Sequence, residues 1–564
     1  MRQAGRGIGR AAVLIGGITV LTRVVGFGRQ LVFAHTVGST CLGTAYATAN
    51  QVPNIIYDIV LGGALTSAVV PVLATAAARR AAPETAASMA AVHGPDAALA
   101  GPALADSAPA GPSQADTETS QIASALLTWT VVLLAPASII LVALSGPLTS
   151  LLLAGAPGCH PAAATQTVSS QMLAVFAPQI LLYGLAVVLY GVLQAHRRFT
   201  APALAPVLSS LVVIAAYAAF VPLGYPYRNH LSGLPFSAQL MLSAGTTAGV
   251  AALGLTALGP ALRLRLRLRP TLRFPPGVAR RVRGLAAVGV AALIAQDVSL
   301  LVVIVLANGH RGQGALVLYN YGWQMFFVPY AVLAVPIATS AFPALSAADG
   351  TSFDQTTAAS TRAVMLVSWL GAALLAGTAV PASRLFALSP SGARQLAVIF
   401  AAFAPGLVGY GLAANLSRVL FACHRSRVAA VALVSGWLVV IAADLAIVPA
   451  VPPRWVVAVL GLGNTIGLTV AGLALLAAVR AVRGGAALRG SGRAALAGLG
   501  GAMAGIVAGA GVSLAVRVHG TLPNAAVAVL VCTVVAAAFG AVVLVLDGGD
   551  LRALAARARA RLAR

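Results

Sequence analysis

Lysine is absent from this chain of 564 residues, so all 36 basic residues are arginine. Acids are scarce too, at 12, and charged residues make up 9% of the sequence where soluble domains carry roughly 25%. A chain this poor in charge and 59% hydrophobic is not an ordinary soluble domain. The four cysteines, Cys41, Cys159, Cys423 and Cys532, have no CxxC or metal-type spacing, which leaves neither zinc nor a dithiol motif. No P-loop, nucleophile elbow or paired-carboxylate pattern occurs, so an enzyme is unsupported.

Apolar length is what the sequence has in abundance. Fourteen runs are long enough to cross a hydrocarbon core of roughly 30 Å, near 11–35, 44–77, 121–153, 167–194, 201–222, 238–260, 284–307, 314–345, 362–381, 394–421, 428–448, 455–479, 494–516 and 524–546. The first is too long for a signal-peptide core and carries arginines, so it reads as a span and not as a cleaved leader. The net charge of +24 raises the question of nucleic acid, but the arginines lie mostly in short connections between apolar runs, where membrane topology puts them. With a cytoplasmic N-terminus, 27 arginines fall on inside segments and six on outside ones, a positive-inside distribution that also puts the C-terminus in the cytoplasm. Residues 79–120, rich in Ala, Pro, Ser and acids, read as a disordered cytoplasmic loop.

The chain repeats itself. Phe176-Ala-Pro178, Tyr183-Gly-Leu-Ala186 and Val192-Leu193 recur at one constant offset as Phe403-Ala-Pro405, Tyr410-Gly-Leu-Ala413 and Val419-Leu420, and Thr66-Ser-Ala-Val-Val-Pro71 is echoed by Thr339-Ser-Ala-Phe-Pro343. Matching spans are six apart, so the two copies have the same orientation, the pattern of parallel repeats about an axis along the membrane normal. The expected fold is all-α and polytopic, with two parallel-repeat six-helix lobes plus two C-terminal helices. Its divisions are an N-lobe at 1–260, a basic connection at 261–283, a C-lobe at 284–480, a final helix pair at 481–546 and a basic cytoplasmic tail at 547–564.

Arg23 lies roughly 18 Å into the first span, a costly position unless it faces a cavity or a partner. Arg29 follows about 120° around an ideal helix. Gly26 and Gly28 between them permit a bend that would turn both guanidiniums to one cavity, where two planar forks suit a diphosphate; the alternative for Arg29 is snorkelling to the outer surface. Pro53 is expected to break the second span beside Asn54 and Asp58, freeing carbonyls toward a cavity. Asp297, in mid-span, suits a coupling cation or proton, or an arginine partner; Asp444 reads as structural. The histidines share no metal spacing. Cys41 and Cys159 fall in the first and second outer loops, where a disulfide is open to them, but with spacing alone as a guide two free thiols are favoured.

The words Thr22-Arg23-Val-Val-Gly26-Phe27-Gly28-Arg29, Val52-Pro53-Asn54, Gly63-Ala64 and Val70-Pro71, in that order, resemble the N-terminal signature of the MurJ/MviN family of lipid II flippases, within the multidrug/oligosaccharidyl-lipid/polysaccharide exporter superfamily. The resemblance implies two lobes that alternate access to a cationic cavity in the bacterial plasma membrane, with Arg23 and Arg29 matching diphosphate-binding arginines and 494–546 forming a groove for the polyprenyl tail. The implied partners are lipid II or a related polyprenyl-diphosphate sugar, membrane lipids and cell-wall synthesis proteins; no cofactor is implied beyond a monovalent cation or proton. Two positions depart from the family pattern: Tyr57-Asp58 stand where many members are basic, and Gln324 stands where another cavity arginine is expected. Those departures keep open a flippase for another polyprenyl-diphosphate sugar, a cation-coupled drug exporter, and a non-transporting scaffold of cell-wall assembly.

Overall fold

In hydrocarbon every backbone N–H and C=O must be satisfied within the chain, and helices do so segment by segment. The computed structural model describes residues 2–59, 112–196, 198–264, 268–273, 278–386, 389–516, 518 and 520–548. Its first half contains α1 (Arg2–Thr36), α2 (Cys41–Asp58), α3 (Pro112–Ala143), α4 (Ser145–Leu153), α5 (Ala162–Phe176), α6 (Gln179–Ala195), α7 (Thr200–Gly224) and α8 (Phe236–Leu262). The second half contains α9 (Val278–His310), α10 (Ala315–Pro329), α11 (Val335–Ala347), α12 (Gly350–Gly377), α13 (Ala379–Phe386), α14 (Pro390–Phe403), α15 (Gly406–Ala422), α16 (Ser426–Ile447) and α17 (Val456–Arg483). A last pair follows, α18 (Ser491–Ala515) and α19 (Thr521–Leu546). Twelve segments among the described residues are long and apolar enough to cross a membrane. The two further expected spans fall on α1 and α2, the latter running toward residues outside the described set.

The two halves pack alike. In the first, α1 lies on α7, α2 on α5, α3 on α6, and α8 on both α6 and α7; in the second, α9 lies on α16, α10 on α14, α12 on α15, and α17 on both α15 and α16. The repeated words explain part of this likeness. Phe176-Ala-Pro178 and Phe403-Ala-Pro405 each end one helix and start the next, because proline removes a backbone donor, while Phe176 and Phe403 are fully buried. The α16–α17 contact needs glycine: a Cβ on Gly436 would lie 2.5 Å from the Ala471 Cβ, and one on Gly467 2.5 Å from the Gly436 carbonyl oxygen. The last pair packs on α12, where Ala373, Ala502, Val531, Val535 and Phe539 form one apolar cluster.

At one end of the bundle the connections 37–40, 154–161, 225–235 and 310–314 gather and join the halves. Asn308 donates to Thr48 Oγ1 and to the Leu152 carbonyl, both at 2.9 Å. Gly314 N–H donates to Thr44 Oγ1 at 2.7 Å, and Gln313 reaches Pro157 O and Asn229 Oδ1. Gly314, at φ +70°, passes so close to Ser39 that a Cβ there would meet its carbonyl oxygen at 2.5 Å.

Several expectations are corrected. Cys41 and Cys159 are joined in a disulfide, since the fold lays the two connections side by side with Cα atoms 5.5 Å apart. Pro53 does not break α2, which runs from Cys41 to Asp58, and α1 is helical without interruption through Gly26 and Gly28. The run 121–153 turns at Leu144 into the short α4, and α12 starts at Gly350, earlier than expected, because its polar first turns project beyond the apolar run and Asp354 pairs there with Arg483 at 2.9 Å. Residues 112–120, expected in a disordered loop, are helical, as is the basic connection from Val278 onward. The words Gly63-Ala64, Thr66–Pro71 and Val70-Pro71, the loop at 79–111 and the basic tail at 549–564 lie outside the described residues.

Candidate functional site

A cavity of about 300 Å³ opens between the first half and α10. Helix α1 supplies Arg29 and Gln30, α2 supplies Asn50, Gln51 and Asn54, and α10 supplies Asn320 and Gln324. The helical period explains the grouping: Asn50 and Asn54, like Asn320 and Gln324, are four residues apart and share one helix face. Phe33, Tyr46, Tyr183, Tyr217, Tyr321 and Trp323, with Ser209 and Thr246, add to the polar and aromatic wall, and no carboxylate among the described residues lines it.

Local contacts orient these groups. Tyr183 donates its phenol to Asn54 Oδ1 at 3.3 Å, which leaves the Asn54 N–H2 as the end free to donate into the cavity. Tyr46 shares hydrogen bonds with Tyr217 OH at 2.9 Å and Thr246 Oγ1 at 2.8 Å, tying α2 to α7 and α8. Tyr57 stacks near Tyr183 with ring centroids 4.2 Å apart. Arg29 has no ion-pair or hydrogen-bond partner among the described residues and is only half-buried. A guanidinium set among amide donors, with no acid among the described residues of the wall, favours an anion with several acceptor oxygens.

Of the residues singled out by sequence, Arg29, Asn54 and Gln324 come together in this cavity. Arg23, one and a half turns away on α1, is exposed and does not line it. No side chain crowds Gly26 or Gly28: a Cβ at either would meet nothing within 4 Å. Pro53 is buried behind the wall and Asp58 is half-buried at the end of α2, neither of them lining the cavity. Asp297 is 2% exposed, and neither of its carboxylate oxygens has a hydrogen-bond partner among the described residues. Asp444 is equally enclosed and unpaired, packed against Gly463. Gln30, Asn50, Gln51 and Asn320 escaped the sequence reading; their helical spacing within apolar runs was the available signal.

The fold and cavity define a polytopic carrier architecture, two matching helical halves around a shared polar chamber. The chain belongs to the family described as Lipid II flippase MurJ, whose sequence profile matches residues 33–491. It is 26% identical over 341 residues to the Lipid II flippase MurJ of Burkholderia cenocepacia, covering 60% of this chain and 57% of that protein. It is also 26% identical over 280 residues to the Probable lipid II flippase MurJ of Synechocystis, covering 48% of this chain and 44% of that one. The matched regions thus span about half the length of these curated relatives. Among solved structures, a lipid II flippase MurJ in an inward closed conformation aligns with TM-score 0.66 at 17% identity, over 93% of this chain and 98% of that one. An inward-facing multidrug resistance MATE family transporter of the MOP superfamily aligns with TM-score 0.61 at 13% identity, over 84% and 98% of the two chains.

Proposed function

We propose that this protein flips a polyprenyl-diphosphate-linked peptidoglycan precursor, lipid II, from the inner to the outer leaflet by alternating access. The observation that carries the reading is Arg29, without an ion-pair or hydrogen-bond partner among the described residues, in an amide-lined chamber between the two halves whose described wall holds no carboxylate. A diphosphate cannot enter hydrocarbon unaided, because burying its charge without pairing is prohibitive. Arg29, with Gln30, Asn54 and Gln324, replaces its hydration, and Arg23 stands nearer the cytoplasmic mouth as a first contact. The absence of acids among the described residues of the wall disfavours a cationic drug as cargo. Gly26 and Gly28 leave open space along α1, while Pro53 and Asp58 act on the cavity only through α2.

In this reading both termini are cytoplasmic, the lobes are residues 1–260 and 284–480, and the connections gathered at 37–40 and 310–314 form the outer gate. Residues 481–546 flank the path of the polyprenyl tail, and cell-wall synthesis proteins are the partners that supply and consume the cargo. Asp297 serves ion coupling: a buried carboxylate with no hydrogen-bond partner among the described residues binds a monovalent cation or a proton during the cycle. The test is a substrate profile for purified protein in vesicles, with lipid II beside other polyprenyl-diphosphate sugars. Flipping of lipid II in preference to the others supports the reading, and flipping of none of them supports the scaffold instead.

A further inference from the structure

A second cavity, of about 200 Å³, lies inside the second half, among α9, α15, α16, α17 and the irregular turn after α10. That turn, Tyr330–Ala334, is a π-helical segment, a local widening that occurs often at binding sites. Gln296, Tyr330, Tyr410, Ser417 and Trp437 supply the polar and aromatic part of its wall; the remainder is aliphatic, and no charged residue among the described ones lines it. The rings form a continuous surface: Tyr330 and Tyr410 lie 4.4 Å apart, and Trp323 stands 6.2 Å from Tyr410 and 6.4 Å from Trp437. Trp323 also lines the central cavity, and its ring contacts Tyr410 and Trp437 of the second one.

The Gln296 amide and the phenols of Tyr330 and Tyr410 make no hydrogen bond among the described residues, although each is only half-buried and opens to this space. Polar tips of this kind in an apolar pocket fix the orientation of a ligand that has both faces and hydroxyls. Aromatic faces take the C–H side of a sugar ring, while an amide and two phenols pair with its hydroxyl and acetamido groups. A charged ligand would find no counter-ion among the described residues of the wall.

We infer that this second-half pocket, reached past Trp323, is a subsite for a neutral amino-sugar ring of the lipid-linked precursor, distinct from the chamber that takes the diphosphate. The inference rests on the flippase reading. Its test compares affinities of purified protein for lipid II and for undecaprenyl diphosphate, which carries no sugar. The double variant Gln296→Ala, Tyr410→Phe keeps the aromatic ring and so the packing, and removes two polar contacts. It is expected to lose about tenfold in affinity for lipid II, the size of two ordinary hydrogen bonds, with undecaprenyl diphosphate binding and the melting temperature unchanged. An equal fall for both ligands, no fall for either, or a wild type that does not prefer lipid II would overturn the subsite. Arg29→Ala separates the two readings: it should weaken both ligands alike, and unchanged binding there would remove the diphosphate clamp while leaving the sugar comparison intact.

Discussion

Arg29 and Arg23 are both arginines in one helix, yet their surroundings assign them different weights. Arg29 is half-buried in the wall of the central chamber, and losing one partner of a charge pair that the bound cargo desolvates typically costs about 2–5 kcal/mol, so Arg29→Ala should lower lipid II affinity by well over tenfold. Arg29→Lys should recover only part of it, since an ammonium keeps the charge and loses the bidentate fork. Arg23→Ala should cost less, because Arg23 is exposed and water still screens it; equal losses in a binding titration would show both arginines inside one clamp. Asp297 gives a second residue-level expectation. With both oxygens unpaired and buried, Asp297→Asn should leave the fold intact and abolish the dependence of transport on a cation or proton gradient. A variant that keeps the wild-type gradient dependence makes the acid structural.

Helices record how a span is built, and the α16–α17 pair is held at backbone distance by Gly436 and Gly467. A Gly467→Val variant inserts a branched side chain where a single Cβ already meets a carbonyl, an overpacking that typically costs about 1–3 kcal/mol and should lower the melting temperature. At the 37–40 end of the first half, Cys41 and Cys159 should resist alkylation in the denatured protein until a reductant is added; labelling of both without it would mean the bridge is absent from the purified protein. These elements also show what sequence can and cannot reveal. Spans were legible because about 20 apolar residues have few other uses, and the duplication was legible because Phe-Ala-Pro is fixed by a helix break in each half. Pro53 misled because a proline removes one hydrogen bond, which surrounding packing tolerates without ending the helix. The disulfide was hidden because spacing carries no information on which loops the fold lays together. The amides of α2 and α10 were hidden for a related reason: uncharged residues in apolar runs leave the topology signal untouched, and only the meeting of the halves makes Asn50, Asn54, Asn320 and Gln324 one wall.

At the scale of the molecule, the halves repeat one packing scheme and meet at the 37–40 end through a few hydrogen bonds and an apolar cluster that includes Val37, Leu42, Ala307 and Leu316. Such a contact can open and reform, as alternating access requires, and its strength should set the balance between the two states. Removing the Asn308 amide and the Thr44 hydroxyl together, as Asn308→Leu with Thr44→Val, takes away three of these bonds and should raise the accessibility of cysteines introduced in the central cavity to a reagent added from outside; unchanged labelling would place the gate elsewhere. The cavity itself is judged by transport. Purified protein in vesicles is given lipid II in one leaflet, and its appearance in the other is followed for wild type and for Arg29→Ala at matched amounts of folded protein. Wild type is expected to flip lipid II and Arg29→Ala to flip it at least tenfold more slowly. Equal rates for the two proteins would contradict a diphosphate carried through the Arg29 chamber.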